Sequence, residues 1–472
     1  MLFSSIFFLG FFLPISILSY LSTPRKYRNI TLLFLSLLFY AWGEPKMVFV
    51  MLFVVITNYF SGILIAKDYR KIGMCISILT SMGTLAVFKY TNFAYDSFTT
   101  LITELGISYS WMSIPRIALP VGISFYTFQT LSYNIDIYRN NIKPCYNLID
   151  FATYVSFFPQ LVAGPIVRFT DVREQLGSRG TNLDNFASGI ERFILGLAKK
   201  VIIANNCAYI ADLIFDLHPK YVSVGSAWLG ITFYTLQIYF DFSGYSDMAI
   251  GLARIFGFRF QENFNYPYIS NSIKEFWRRW HISLSSWFRD YLYISLGGNR
   301  KSKYRTYINL SIVFIITGLW HGASWNFIIW GIWHGLFIVL ERMGGDKILE
   351  KTPKPIQHIY TLLVVMIGWV FFRSANLEMS LLFIQNLFGG LSTDQVVFHM
   401  ADYLTVHHII ILSFALLFCS PVFPAFRNRL SAYMVEHTYI EYIYYVCLLL
   451  LLIFLIAAET ITTFTPFIYF RF

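Results

Sequence analysis

The stretch that decides the fold runs from Thr306 to Leu340, TYINLSIVFIITGLWHGASWNFIIWGIWHGLFIVL. It contains no Asp, Glu, Lys or Arg, and an uncharged run of this length belongs to a chain that meets lipid rather than water. Thr306 to Leu319 reads as most of one membrane span. Gly322, Ala323 and Ser324 then interrupt it before a second apolar stretch from Trp325 to Leu340, because small residues let the backbone turn and let another molecule come close. His321 sits at that break, with Trp320 and Trp325 placed to wall it. An ionisable group at membrane depth is costly and usually lines a polar cavity or reacts. Position alone equally allows His321 to hydrogen-bond a neighbouring helix.

Outward from this stretch the same pattern recurs, at Leu2 to Pro24, Met47 to Ala66, Val222 to Phe240 and Tyr442 to Ala458. The length rule gives about eleven spans or half-spans. A chain of 472 residues with 56% hydrophobic and 13% charged residues lacks the polar surface to be water-soluble. Its 48 Phe, 32 Tyr and 11 Trp suit the aromatic belts at the two membrane surfaces. The net charge of +10 does not point to nucleic acid, since the basic residues lie in short loops and form no polar domain of their own. The five cysteines (75, 145, 207, 419, 447) have no paired spacing and read as buried thiols. The N-terminal run has neither the basic start nor the small-residue cleavage site of a secretory signal, and is expected to stay as the first span.

Charge sets the orientation. Arg25, Lys26 and Arg28 follow the first span, and Lys67, Arg70 and Lys71 follow the third, so both loops are expected to be cytoplasmic. Arg427 and Arg429 precede the last span and only Glu459 follows it closely, which puts both termini outside. Residues 168 to 200 are polar and punctuated by Gly177, Gly180, Gly189 and Gly196. Phe186 to Ile214 alternates at helical spacing, and reads as an amphipathic helix lying at the interface. A second interfacial region, 271 to 306, mixes Lys274, Arg278, Arg279 and Arg289 with Trp277, Trp280, Trp287 and Tyr291. There is no internal repeat and no linker, so residues 1–472 read as one membrane domain.

Other residues that can carry chemistry are few. His281, in Phe276-Trp277-Arg278-Arg279-Trp280-His281, lies 40 residues before His321. Two histidines on different elements can converge, one as a general base near neutral pH and one positioning a donor or acceptor; an interfacial histidine held by Trp and Arg is the plainer reading. His334 reads as structural or supporting. In Asp241-Phe242-Ser243-Gly244-Tyr245-Ser246-Asp247 two carboxylates and several hydroxyls adjoin an apolar span, and either line a tunnel or pair with basic residues. Gln129, Asn134 and Asp136 read first as interhelical hydrogen-bonding groups, and as polar lining of a reaction chamber second. No metal is expected, since His407-His408 diverges on a helix and there is no H-E-x-x-H.

Taken in order, Pro120 to Gln129, Phe158-Pro159-Gln160 to Gly164-Pro165-Ile166, Asp241 to Asp247, Trp277 to Gly298 and Trp320-His321-Gly322 make the chain resemble the membrane-bound O-acyltransferases. The resemblance is to the bacterial branch that O-acetylates alginate and peptidoglycan, with the teichoic-acid D-alanylation enzymes as cousins. It implies an all-α polytopic membrane protein, a cone of about eleven transmembrane helices around a central tunnel with interfacial helices. Residues 1–117 are then N-terminal spans, 118–342 the core motifs, 343–460 C-terminal spans and 461–472 an outward aromatic tail.

It also implies that His321 is the catalytic histidine and His281 its second. Trp320, Trp325, Asp241, Ser243, Arg278, Arg279 and Gln129 become candidates for lining the tunnel or binding the donor. No cofactor is bound. The donor is a cytoplasmic acyl thioester, acetyl-coenzyme A or an acyl carrier, and an extracytoplasmic acetyltransferase partner receives the group. The membrane is the bacterial inner membrane. The tail Pro466-Phe467-Ile468-Tyr469-Phe470-Arg471-Phe472 resembles the one-tyrosine aromatic tail of related systems. Tyr469 is thus a candidate acyl shuttle, since a phenol of pKa about 10 needs a base such as His321 to attack at neutral pH. The alternative for the tail is an aromatic anchor. A proton-coupled transporter is the rival class, but transporters commonly show two related halves and none is visible here.

Overall fold

A computed structural model describes residues 1–107, 114–180, 182–391 and 396–461. Among them the chain is helical, with no β-strand beyond a single bridge between Val222 and Phe398. The principal helices are α1 (Leu13–Ser22), α2 (Arg28–Gly43), α3 (Val48–Ala66), α4 (Arg70–Glu104), α5 (Ile123–Tyr138), α6 (Leu183–Phe215), α7 (Val224–Ile255), α8 (Lys303–His321), α9 (Trp325–Leu349), α10 (Lys354–Arg373), α11 (Val406–Phe418), α12 (Val422–Glu436) and α13 (Thr438–Ile461). Helix dominates because a backbone out of reach of water must bond to itself within each segment.

Six helices are long and apolar enough to cross a membrane, α3, α4, α6, α9, α10 and α13, or seven if α11 and α12, bent by 72° at their junction, form one span. The chain is a multi-pass membrane protein. The larger number expected from sequence includes helices such as α1, with 10 residues, and α2, with 16, which fall short of the roughly 20 a full crossing takes.

The spine of the molecule is α7, 32 residues long and buried on nearly every side, including its Gln237, Asp241, Ser243 and Ser246. A helix so enclosed must be met closely, and α6 meets it through glycines. Gly189 and Gly196 on α6 face Gly251 and Gly244 on α7. A methyl group added at any of the four would come within 2.8 Å of the facing glycine's carbonyl oxygen. Each pair is seven residues apart in sequence, two turns of one face, so the two stripes run antiparallel through the crossing. Ion pairs lock the same face: Lys200 Nζ lies 2.6 Å from Asp241, and Arg192 and Lys199 lie 2.7 and 2.6 Å from Asp247.

Two expectations are corrected here. The segment Phe186 to Ile214, expected as an interfacial helix, belongs to α6, a continuous helix long and apolar enough to cross a membrane and packed into the core. Its 3.6-residue alternation records burial against α7, and Gly189 and Gly196 are contact points, not loop punctuation. The aromatic region after residue 271 turns inward as well: Ile273–Arg279 and Ile282–Trp287 are short helices whose Phe276, Trp280 and Trp287 are buried. Of the five free cysteines, Cys207 and Cys419 are buried, whereas Cys75 and Cys447 lie on the outer, apolar surface.

Asn134 and Asp136 of α5 bond across helices, as the plainer reading had it, whereas Gln129 makes no such bond among the described residues. Asn134 Nδ2 donates to Asn58 Oδ1 at 2.8 Å and to Ser77 Oγ at 2.9 Å, and Asp136 accepts from the Tyr291 hydroxyl at 2.6 Å.

Gly251→Ala is expected to destabilise the protein by about 1–3 kcal/mol through overpacking against backbone. Gly177→Ala, where an added methyl meets nothing within 4 Å, should leave stability unchanged. Thermal unfolding of the two variants in the same detergent checks the contrast.

Candidate active site

His321 is the last residue of α8, and the chain beyond it is extended at Gly322 before α9 begins. The α8–α9 hairpin is unusually close because glycine faces backbone. A methyl on Gly318 would sit 2.2 Å from the Phe327 carbonyl, one on Gly331 2.4 Å from the Phe314 carbonyl, and one on Gly322 2.1 Å from the Phe327 ring. The turn is therefore fixed by packing, and with it the backbone of His321. The imidazole is 7% exposed and is walled by Trp320, Trp330 and Phe372, with ring centroids 5.0, 5.0 and 5.3 Å away.

The carbonyls at this helix end are capped by one segment of α4. The Tyr90 hydroxyl donates to Leu319 O at 2.7 Å, and Lys89 Nζ donates to Trp320 O and, at 3.3 Å, to His321 O. Lys89 and Tyr90 end a π-helical turn, Ala86–Tyr90, a wide turn often found at functional positions.

His281 is brought to the same place. It is 1% exposed, holds a left-handed backbone (φ 44°) and lies with its ring 6.2 Å from that of Trp320 and 4.6 Å from that of Phe242. Its tautomer follows from a neighbour. The Ser283 backbone N–H and hydroxyl donate to Asn263 Oδ1 at 3.2 and 2.9 Å, which identifies that atom as the carbonyl oxygen. His281 Nδ1, 3.1 Å from the same oxygen, must then be the donor, and Nε2 carries the lone pair, buried and without a hydrogen-bond partner. From His281 the aromatic contacts continue through Trp320 to His321, and through Trp330, 5.1 Å from His334, to the third histidine.

Two cavities flank this cluster. One, of about 510 Å³, is lined by Lys89, Gln237, Gly322, Asn326, Phe372 and Arg373. The other, of about 610 Å³, is lined by Arg192, Lys199, Ser243, Asp247, Arg254 and Asn263 among others. Both touch α7, the first at Tyr234 and Gln237 and the second from Tyr239 onward. Between Gln237 and Ser243 that helix rises about 9 Å. Phe242, which packs on His281, lies in this interval.

Residues 34–385 match the model of the membrane-bound O-acyltransferase family. The chain belongs to that family. It is 47% identical over 385 residues, 80% of its length, to a probable alginate O-acetylase of Pseudomonas aeruginosa, of which 73% is covered. It is 32% identical over 464 residues to a peptidoglycan O-acetyltransferase of Helicobacter pylori, covering 90% of this chain and 87% of that one. It is also 32% identical over 216 residues to a teichoic acid D-alanyltransferase of Bacillus subtilis, covering 43% and 54%. The chain is an O-acyltransferase, and the resemblance drawn from its motifs is confirmed.

Within this acyltransferase the sequence candidates fall into groups. Trp320, His321 and His281 are together. Trp325 is 56% exposed and packs on Phe93, so it does not wall the histidine. Asp241 is paired with Lys200, while Ser243 lines the larger cavity. Arg279 is held by Glu275 at 2.8 Å, Arg278 is exposed, and neither is among the residues lining the two cavities. Gln129 is buried with neither amide atom bonded. Tyr469 lies outside the described residues.

Lys89, Asn263, Arg192 and Arg254 escaped the sequence reading. A lone lysine inside the uncharged run Ala86-Val87-Phe88 was a usable signal; Asn263 gave none.

Asn263→Leu is expected to leave the Ser283 donors and His281 Nδ1–H unpaired, at about 1–3 kcal/mol for each buried group. Asn263→Asp keeps the acceptor and should lose less. Comparing the melting temperatures of the two variants tests the assignment.

Proposed function

We propose that this acyltransferase moves an acetyl group from acetyl-coenzyme A, bound at the cytoplasmic face of a bacterial inner membrane, to a hydroxyl acceptor at the outer face. The product serves O-acetylation of a cell-wall or secreted polysaccharide such as alginate or peptidoglycan. The observation that carries the reading is that two cavities meet α7 at successive positions on either side of the histidines, the smaller reaching Gly322 beside His321 and the larger reaching Asn263, which bonds His281. That arrangement suits two substrates approaching one centre from opposite sides, a tunnel in function.

The larger cavity fits the donor. Arg192, Lys199, Arg254 and Arg427 face Glu191, Asp247 and Glu262 there, an excess of cations suited to phosphate. Arg192, Lys199 and Arg427 are already paired with carboxylates, whereas Arg254 makes no ion pair among the described residues. Basic residues gather at this end, in keeping with a cytoplasmic side and with both termini outside.

In the reaction His321 takes the proton of the attacking hydroxyl. The oxygen forms its bond to the thioester carbonyl carbon, the carbon–sulfur bond breaks, and the leaving thiolate takes up the proton. His281, with Nε2 open, positions the group that enters from the larger cavity. Tyr469 serves as the first acceptor, and an extracytoplasmic transferase carries the acetyl group onward to the polymer. The names of the relatives supply the polymer class.

The test is release of thiol from acetyl-coenzyme A by the purified protein. His321→Ala is expected to lose a factor of about 10²–10⁴, the usual worth of a general base; a fully active mutant refutes the assignment. In cells, Tyr469→Phe is expected to abolish polymer acetylation while leaving the protein in the membrane, and normal acetylation would remove the shuttle.

A further inference from the structure

We propose that Lys89 is a positioning residue for His321, its ammonium clasping the end of α8 so that the imidazole is held beside the smaller cavity, which Lys89 and Gly322 line. This rests on the functional reading above for His321 and adds a residue to it.

The last carbonyls of an α-helix have no partner within the helix. At α8 the shortage is acute, because Gly322 is extended and α9 turns back at once, so no further helical turn can supply donors. Water is a poor remedy at membrane depth, where each unpaired backbone group costs several kcal/mol. Two consecutive residues of α4 meet three consecutive carbonyls: Tyr90 that of Leu319, Lys89 those of Trp320 and His321. The remaining hydrogen of the ammonium reaches Ser124 Oγ at 3.3 Å, at the start of α5, so all three donors are engaged.

A helix C-terminus carries partial negative charge and favours a cation. Lys89 supplies one, 8% exposed, with Nζ 5.9 Å from the centre of the Trp320 ring. Its three radial donors suit three acceptors on different elements, which the flat fork of an arginine does not. The contact also bridges about 230 residues of sequence, tying α4 and α5 to the catalytic hairpin. Capping asks for donors at these carbonyls, which a neutral side chain such as Tyr90 also supplies at Leu319, so the charge of Lys89 is more than the cap requires. A buried cation retained at this depth and set directly on the histidine's own carbonyl points to the chemistry.

The experiment uses full-length protein in detergent, with acetyl-coenzyme A as probe, and compares wild type, His321→Ala and Lys89→Met. His321→Ala reports on the functional reading, which fails by itself if that variant turns over normally. Lys89→Met keeps the bulk and removes the donors. Its kcat is expected to fall about 100-fold, the scale of a 1 Å misplacement, with KM for acetyl-coenzyme A unchanged.

In parallel, modification of His321 by diethyl pyrocarbonate, read by mass spectrometry, should be faster in Lys89→Met than in wild type as the turn loosens. Labelling needs no donor, so it decides the question even if another thioester proves to be the substrate. Wild-type labelling of His321 in Lys89→Met, or an unchanged kcat, overturns the proposal. Should Lys89→Met not fold, Lys89→Gln, which has two donors and no charge, carries the same pair of expected and overturning results.

Discussion

A break in a helix at membrane depth is permitted only if the carbonyls it orphans are met by protein, and this condition governs the centre of the molecule. The sequence Gly322-Ala323-Ser324 stops α8, and the chain can turn there only because Gly318 and Gly331 let α9 lie against it backbone to backbone. The carbonyls freed at Leu319, Trp320 and His321 then fix where α4 must pass, since Lys89 and Tyr90 have to reach them. One local interruption thus sets the position of a histidine and of a helix more than two hundred residues away.

The second element of order is the enclosure of α7. A helix carrying Gln237, Asp241, Ser243 and Asp247 would be expensive against lipid, and it is kept from lipid by α6, which comes near enough through the paired glycines for Lys199, Lys200 and Arg192 to reach the carboxylates. Neutralising Asp241 with Lys200 removes a charge that would otherwise sit between the cavities. Among the described residues Ser243 Oγ and Ser246 Oγ beside the larger cavity, and Gln237 Oε1 beside the smaller, are buried with no hydrogen-bond partner. The spine therefore offers one polar stretch to each cavity, Tyr234 and Gln237 to the smaller and Tyr239 to Arg254 to the larger.

What could be read from sequence followed from how local the signal is. His321 was legible because its apolar flanks and its small following residues lie within a few positions of it. The family was legible because several motifs fall in order. The path of α6 was not: a face of period 3.6 looks the same whether it lies on lipid headgroups or on another helix, and only the matching seven-residue spacing of Gly189 and Gly196 with Gly244 and Gly251 distinguishes them. Arg278 and Arg279 entered as donor-side candidates through the family resemblance; in the fold Arg279 is held by Glu275, and Arg192 and Arg254 line the larger cavity. Asn263 and Lys89 act through contacts made 18 and 231 residues away, which no local pattern encodes.

The walls of the centre bear on why the reaction is transfer and not hydrolysis. A thioester beside a histidine base is open to water, and an acyltransferase has to withhold water from it until the acceptor hydroxyl is in place. Here the imidazoles of His281, His321 and His334 are interleaved with Trp320 and Trp330, with Phe242 and Phe372 closing two sides. Asn263, which lines the larger cavity, holds His281 by Nδ1, which leaves Nε2 buried and unbonded among the described residues. The polar groups proposed to meet the substrates line the cavities, while the histidines proposed to move protons lie among aromatics. On the proposed reaction the acetyl group meets His321 among these rings, where an acceptor hydroxyl competes with little water.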